Sequence, residues 1–181
     1  PEGGEEGGED TVVKATGDSF TIESYATANG WENSVCYPTI EHEFYTVTVS
    51  ATPVGEYSQN SGKYYTSGQN WRMYQTDSGA FSITAKDGYT IASVKFTFTV
   101  ANTGALKCGD SLLTSGREFM VNANTVAFTI GNTSTKTNGQ VKITAIEVTY
   151  KAACDHSGDE KLCDTICDAC GMTIVATAEH T

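Results

Sequence analysis

"QVKITAIEVTY", residues 140–150, is apolar at alternate positions, but the alternation changes phase part-way along. Val141 and Ile143 fall on one side of an extended chain, whereas Ile146, Val148 and Tyr150 fall on the other. Successive strand side chains point to opposite faces, so one regular strand cannot bury both sets. Either a β-bulge near Ala145 resets the pattern, or the strand passes between two packed sheets. In both cases the segment is a strand of a layered β-structure.

The runs upstream agree. "YTVTVSA" groups Tyr45, Val47, Val49 and Ala51 on one face, and "AFSITA" groups Phe81, Ile83 and Ala85. "ASVKFTFTV" does the same for Val94, Phe96, Phe98 and Val100, and "TVAFTI" for Val126, Phe128 and Ile130. Threonine, serine or lysine sits opposite each apolar row, as in an antiparallel sheet with one wet face. Every aromatic residue lies between Phe20 and Tyr150, among many threonines, valines and isoleucines that suit a pleated, half-buried surface. Asn29-Gly30, Asp87-Gly88, Asn102-Thr103-Gly104 and Asn138-Gly139 punctuate the runs as turns. No stretch of a dozen residues shows a capped helical stripe. The pattern predicts an all-β antiparallel β-sandwich of jelly-roll type over residues 11–151.

The formal charge of −11 on 181 residues is unevenly spread. Residues 1–10, "PEGGEEGGED", hold five acids and no base, and residues 152–181 hold six acids and Lys161 alone. The body between them carries eleven acids and ten bases, so it is nearly neutral. Such a body predicts no basic stripe for phosphates, which argues against nucleic acid and anionic membrane as partners. No apolar run approaches the roughly 20 residues of a membrane span, so no membrane insertion is expected. The first ten residues read as an acidic linker. The chain reads as part of a longer protein, with any export signal or anchor outside it.

"SGKYYTSGQNWRMYQTDSGAFSITAKDGYTIASVKFTF", residues 61–98, followed by "NTVAFTIGN" and "NGQVKITAIEVTY", resembles a β-sandwich module recurring in secreted and cell-surface proteins of gut bacteria. The resemblance spans about residues 18–151 and rests on a Gly-Lys-Tyr turn, a Trp-Arg-x-Tyr-Gln strand, a Gly-Tyr-x-Ile hairpin and a closing Ile-x-x-Ile-x-Val-x-Tyr strand. It implies a carbohydrate-binding or adhesion module of an extracellular multidomain protein, with α-glucan or starch binding as one style. It carries over no ligand-contacting residue.

The residues themselves point the same way. A pyranose offers a face of C–H groups that stacks on flat rings, while amides and charged groups catch its hydroxyls. "YYTSGQNWRMYQ", residues 64–75, supplies Tyr64, Tyr65, Trp71 and Tyr74 with Gln69, Asn70, Arg72 and Gln75. Met73 faces the core and takes Trp71 inward with it, leaving Arg72 and Tyr74 on the other side. Tyr64 and Tyr65 sit in a glycine-bounded loop, so at least one ring is expected to be exposed. Trp31, after the Asn29-Gly30 turn, is either a further ligand ring or the cap on one end of the sandwich. Catalysis finds little support. His42 lies between Glu41 and Glu43 on what reads as a solvated strand edge, and no nucleophile elbow or phosphate loop is present.

"CDHSGDEKLCDTICDACG", residues 154–171, is a separate unit within the tail of 152–181. Cys167 and Cys170 form a knuckle, and Cys163 with Cys154 or His156 completes a tetrahedral zinc set. This stretch resembles short Cys-Asp-x-x-Cys-x-x-Cys-Gly repeats found in tandem on surface proteins of the same bacteria. Disulfides, or a tail that binds nothing, are the competing readings. Cys36 and Cys108 either pair across the sandwich or stay as thiols. The expectation is a non-enzymatic, extracellular, secreted or surface-attached module that binds a polysaccharide or oligosaccharide beside other domains of its parent protein. A stalk or adhesin spacer that binds no sugar is the alternative.

Overall fold

The structure, a computed structural model, describes residues 15–51 and 60–153. The acidic linker at 1–10 and the cysteine-rich segment at 154–171 lie outside the described residues. Twelve strands and one helix follow in the order β1 (Thr16–Thr21), α1 (Ile22–Ala28), β2 (Thr39–Glu41), β3 (Tyr45–Val49), β4 (Lys63–Tyr65), β5 (Asn70–Tyr74), β6 (Ala80–Ala85), β7 (Tyr89–Ala101), β8 (Gly104–Cys108), β9 (Ser111–Leu112), β10 (Glu118–Ala123), β11 (Thr125–Asn132) and β12 (Gln140–Ala152). They form two antiparallel sheets. The first runs β10-β7-β12-β5-β4, with β1 also on β12, and the second runs β2-β3-β6-β11-β8-β9. From β5 onward the chain passes back and forth between the sheets, as expected of a sandwich of jelly-roll character.

The sheets meet through rings. Trp71 and Phe96 come from the first sheet and Phe81 and Phe128 from the second, and all four are at most 2% exposed. Phe81 lies edge-on to Trp71 at 6.0 Å and to Phe96 at 5.5 Å, and stacks on Phe128 at 5.1 Å. Of the alternating rows read from the sequence, Tyr45-Val47-Val49, Phe81-Ile83 and Val126-Phe128-Ile130 are buried, while Ala51 and Ala85 at the row ends are half-buried. In β7 the row runs out: Val94 and Phe96 are buried, Phe98 is half-buried, and Val100 is 48% exposed, beyond the last pairing with β10 at Lys95.

The phase change in residues 140–150 is a bulge within one sheet. Along β7, Ile143 pairs with Phe98 and Ala145 with Thr97, so Thr144 is the extra residue. Its Oγ1 donates to the Thr97 carbonyl at 3.1 Å, tying the bulge to the neighbouring strand. On its other edge β12 pairs with β5 over residues 140–143 and with β1 over 145–150, so the bulge falls where the neighbour changes. Both apolar sets, Val141-Ile143 and Ile146-Val148-Tyr150, end up in the core.

The helix was not legible as a stripe because it has only seven residues. Thr21 caps it by accepting from Ser24 N at 3.0 Å, Ile22 and Ala26 face the core four positions apart, and Asn29 with Gly30 (φ +66) ends it. Buried Asp77 accepts from Asn60 N, Ser61 N and Ser61 Oγ at 2.6–2.8 Å, which fixes the backbone leading into β4. Apart from the six-residue β1, the outer strands are short or broken. β2 and β9 have three and two residues, and the β10 pairing with β7 shifts register around Asn122, which sits at φ +49.

Phe81→Ala removes the ring that touches the other three, and is expected to lower stability by about 3–5 kcal/mol in urea unfolding.

Candidate functional site

The outer face of β4, β5 and β12 gathers the polar and aromatic side chains singled out in the sequence. Trp71 fixes which way they point. Its indole is fully buried and Nε1 donates to Gly62 O at 2.8 Å and to Tyr37 O at 3.0 Å. With Met73 also buried, alternation turns Asn70, Arg72 and Tyr74 outward. On β4, Tyr64 points inward and Lys63 and Tyr65 outward. A turn at Thr66–Gly68 joins the two strands and closes at Gln69 in the left-handed region, φ +48. A Cβ on Gly68 would push the Asn70 amide from its place.

Tyr65, Arg72 and Tyr74 form one cluster. The Arg72 guanidinium carbon lies 3.8 Å from the Tyr65 ring centroid, a cation–π contact. Arg72 Nε donates to Asn70 Oδ1 at 2.9 Å, and the Tyr74 hydroxyl donates to the Tyr65 hydroxyl at 3.3 Å. Asn70, 4% exposed, is therefore a positioning residue that holds the guanidinium from below. Burial, together with the hydrogen bond to Tyr65, pushes the Tyr74 phenol up from 10.0 to about 12, against an opposing pull from Arg72.

The other residues expected here lie elsewhere or face inward. Tyr64 is 5% exposed and belongs to the core, which corrects its placement in an open loop. Alternation reaches back through β4, so the loop proper is Thr66–Gln69 and the wet ring of the pair is Tyr65. Trp31 is half-buried. Its ring stacks on Tyr37 at 4.4 Å and 4°, with Tyr25 and Tyr64 edge-on at 5.3 and 5.9 Å. One of its faces is thus occupied, as a ring capping the sandwich end would be. Gln69 is exposed and its Nε2 donates to Glu23 Oε1 on α1.

Two groupings were missed because register, not spacing, makes them. Lys63 lies directly opposite Arg72, and Arg72 opposite Lys142, which places three cations in one row across β4, β5 and β12. The near-neutral composition of the body concealed this local stripe. His42 is also not a bare edge residue. Its Nε2 is 2.9 Å from Asp18 Oδ2 on β1, its ring stacks on Tyr45 at 4.5 Å, and Tyr45 OH donates to the same carboxylate oxygen at 2.8 Å. Burial first, then the Asp18 carboxylate, raises the Tyr45 phenol far above its ordinary value. This clasp ties the first sheet to the β2–β3 connection of the second.

Cys36 and Cys108 are both free thiols, raised in pKa by burial. Among the described residues no three His, Cys, Asp or Glu side chains gather as a metal site. The zinc set of Cys154, His156, Cys163, Cys167 and Cys170 lies outside the described residues. No protein-family model, curated protein or solved structure matches the chain.

Two measurements check this geometry. Tyr64→Ala is expected to cost about 3–5 kcal/mol in urea unfolding, as a core ring does, and Tyr65→Ala about 1 kcal/mol or less. A phenol whose pKa is raised on folding favours the folded state below its unfolded pKa, and that contribution is lost as pH rises through the folded value. The stability difference between the parent chain and Tyr74→Phe should accordingly shrink between pH 10.0 and about 12, and ultraviolet titration of the variant should lose a late-ionising tyrosine.

Proposed function

We propose that this chain is a non-catalytic glycan-binding module that works outside the cell as one part of a larger protein. The observation that carries the reading is the Tyr65–Arg72–Tyr74 cluster on the outer face of the sheet. Tyr74 and the side of Tyr65 away from Arg72 offer apolar surface for the C–H face of a pyranose, and the guanidinium over Tyr65 offers donors for hydroxyls. The rings are joined to each other and Arg72 is held by Asn70, so little side-chain freedom remains to be lost on binding. The strands beneath are anchored by Trp71 and Asp77, which makes the platform rigid.

A stalk that binds no sugar is the second reading, and it has its own observation. Trp31 and Tyr64, two of the rings expected to face a ligand, serve the sandwich instead. Affinity electrophoresis in gels containing starch, xylan, mucin, cellulose or polygalacturonate separates the two. Retardation on at least one polysaccharide is expected, and Tyr65→Ala should abolish it while moving the thermal midpoint by no more than about 3 °C. Unchanged mobility on every polysaccharide would leave the stalk.

A further inference from the structure

Like charges placed directly opposite one another destabilise a sheet, yet Lys63, Arg72 and Lys142 occupy facing positions on three adjacent strands, with neutral Thr99 next in the row. None of the three has an ion-pair partner among the described residues. Lys63 Nζ donates to the neutral Asn60 Oδ1 at 2.7 Å, Arg72 leans on Asn70 and Tyr65, and Lys142 has no hydrogen-bond or ion-pair partner among the described residues. The other half of the same face behaves differently. There Lys95 stands opposite Glu147 and Glu118, and its Nζ meets Glu147 Oε2 at 2.6 Å. One half of the sheet pairs its cation with a carboxylate, and the other leaves three without an ion-pair partner among the described residues, beside the tyrosines.

We propose that this row binds an acidic polysaccharide, its carboxylates or sulfates lying along Lys63, Arg72 and Lys142 while Tyr65 and Tyr74 receive the sugar rings. The inference rests on the glycan-binding reading above and names the class of glycan. Strands lie about 4.8 Å apart, so the row spans roughly 10 Å, a distance suited to charges on neighbouring sugars rather than to a single ion. Arg72 commits its Nε–H to Asn70 and keeps further donors for an anion, and such charge-assisted bonds are about twice as strong as neutral ones. A nucleic acid suits the surface less well. Three cations release few counterions, and the chain as a whole carries −11.

The test is affinity electrophoresis of the full chain in polygalacturonate, dextran sulfate, neutral dextran and starch, with a single-stranded DNA gel as a further arm. Retardation by polygalacturonate or dextran sulfate, at least ten-fold stronger than by either neutral glucan and weakened by added salt, is the expected result. The carboxylate and sulfate gels tell which anion is preferred. Lys142→Gln, a change at a side chain that supports nothing else, should weaken acidic binding several-fold, and Lys63→Gln with Arg72→Gln should remove it. Lys136→Gln, the same loss of charge in an exposed loop, should not. Equal retardation by neutral and acidic polymers, untouched by Lys142→Gln, would overturn the inference while leaving glycan binding standing. Retardation by DNA as strong as by the acidic polysaccharides would overturn it in favour of a general polyanion surface. Unchanged mobility in every gel would remove both readings.

Discussion

The outer face of this sandwich depends on a buried indole. Trp71 fills the space between the sheets against Phe81 and gives its one N–H to the Gly62 and Tyr37 carbonyl oxygens, so the donor is paired inside an apolar interior. Rotating the β5 register by one residue would put that ring in water and drive Arg72 into the core, at the cost of burying an unpaired charge. So the orientation of Asn70, Arg72 and Tyr74 is enforced from behind. Asp77 does the corresponding service for β4 by holding Asn60 and Ser61.

The strand rows were legible in the sequence because period-two burial follows directly from the pleat, and Tyr45 to Val49, Phe81 to Ile83 and Val126 to Ile130 obey it. The same rule gave Trp71 and Met73 as core residues. It misled at Tyr64 only through an overlong loop, since the flanking glycines mark the turn and not the three residues of β4. The break at Ala145 was visible, but choosing between a bulge and a change of sheet required knowing that β1 and β5 share one edge of β12. Pairings between distant strands leave no local trace. Asp18 with His42 and Lys63 with Arg72 and Lys142 are made by register between strands far apart or by a turn whose length fixes the pairing, and composition averages them away.

The two groups of aromatic residues at the surface serve different ends. Around Trp31, rings satisfy one another: Tyr37 stacks on it, Tyr25 and Tyr64 abut it, and Tyr37 OH accepts from Glu32 N at 2.7 Å. This closes the sandwich end beside α1. Around Arg72, the rings are linked at their hydroxyls and share a cation, and the cluster faces away from the core. An aromatic residue near a glycine turn is compatible with either arrangement, and the partners supplied by other strands decide which one forms.

The margins of the sheets bear on how such a unit could be strung beside others. Backbone groups on an outer strand can zip onto a neighbouring molecule when they form a long, straight run. Here β2 and β9 are too brief for that, and β10 is twisted out of line at Asn122. Those three margins are therefore poor templates for zipping copies together, which leaves the six-residue β1 as the one regular outer run among the described residues.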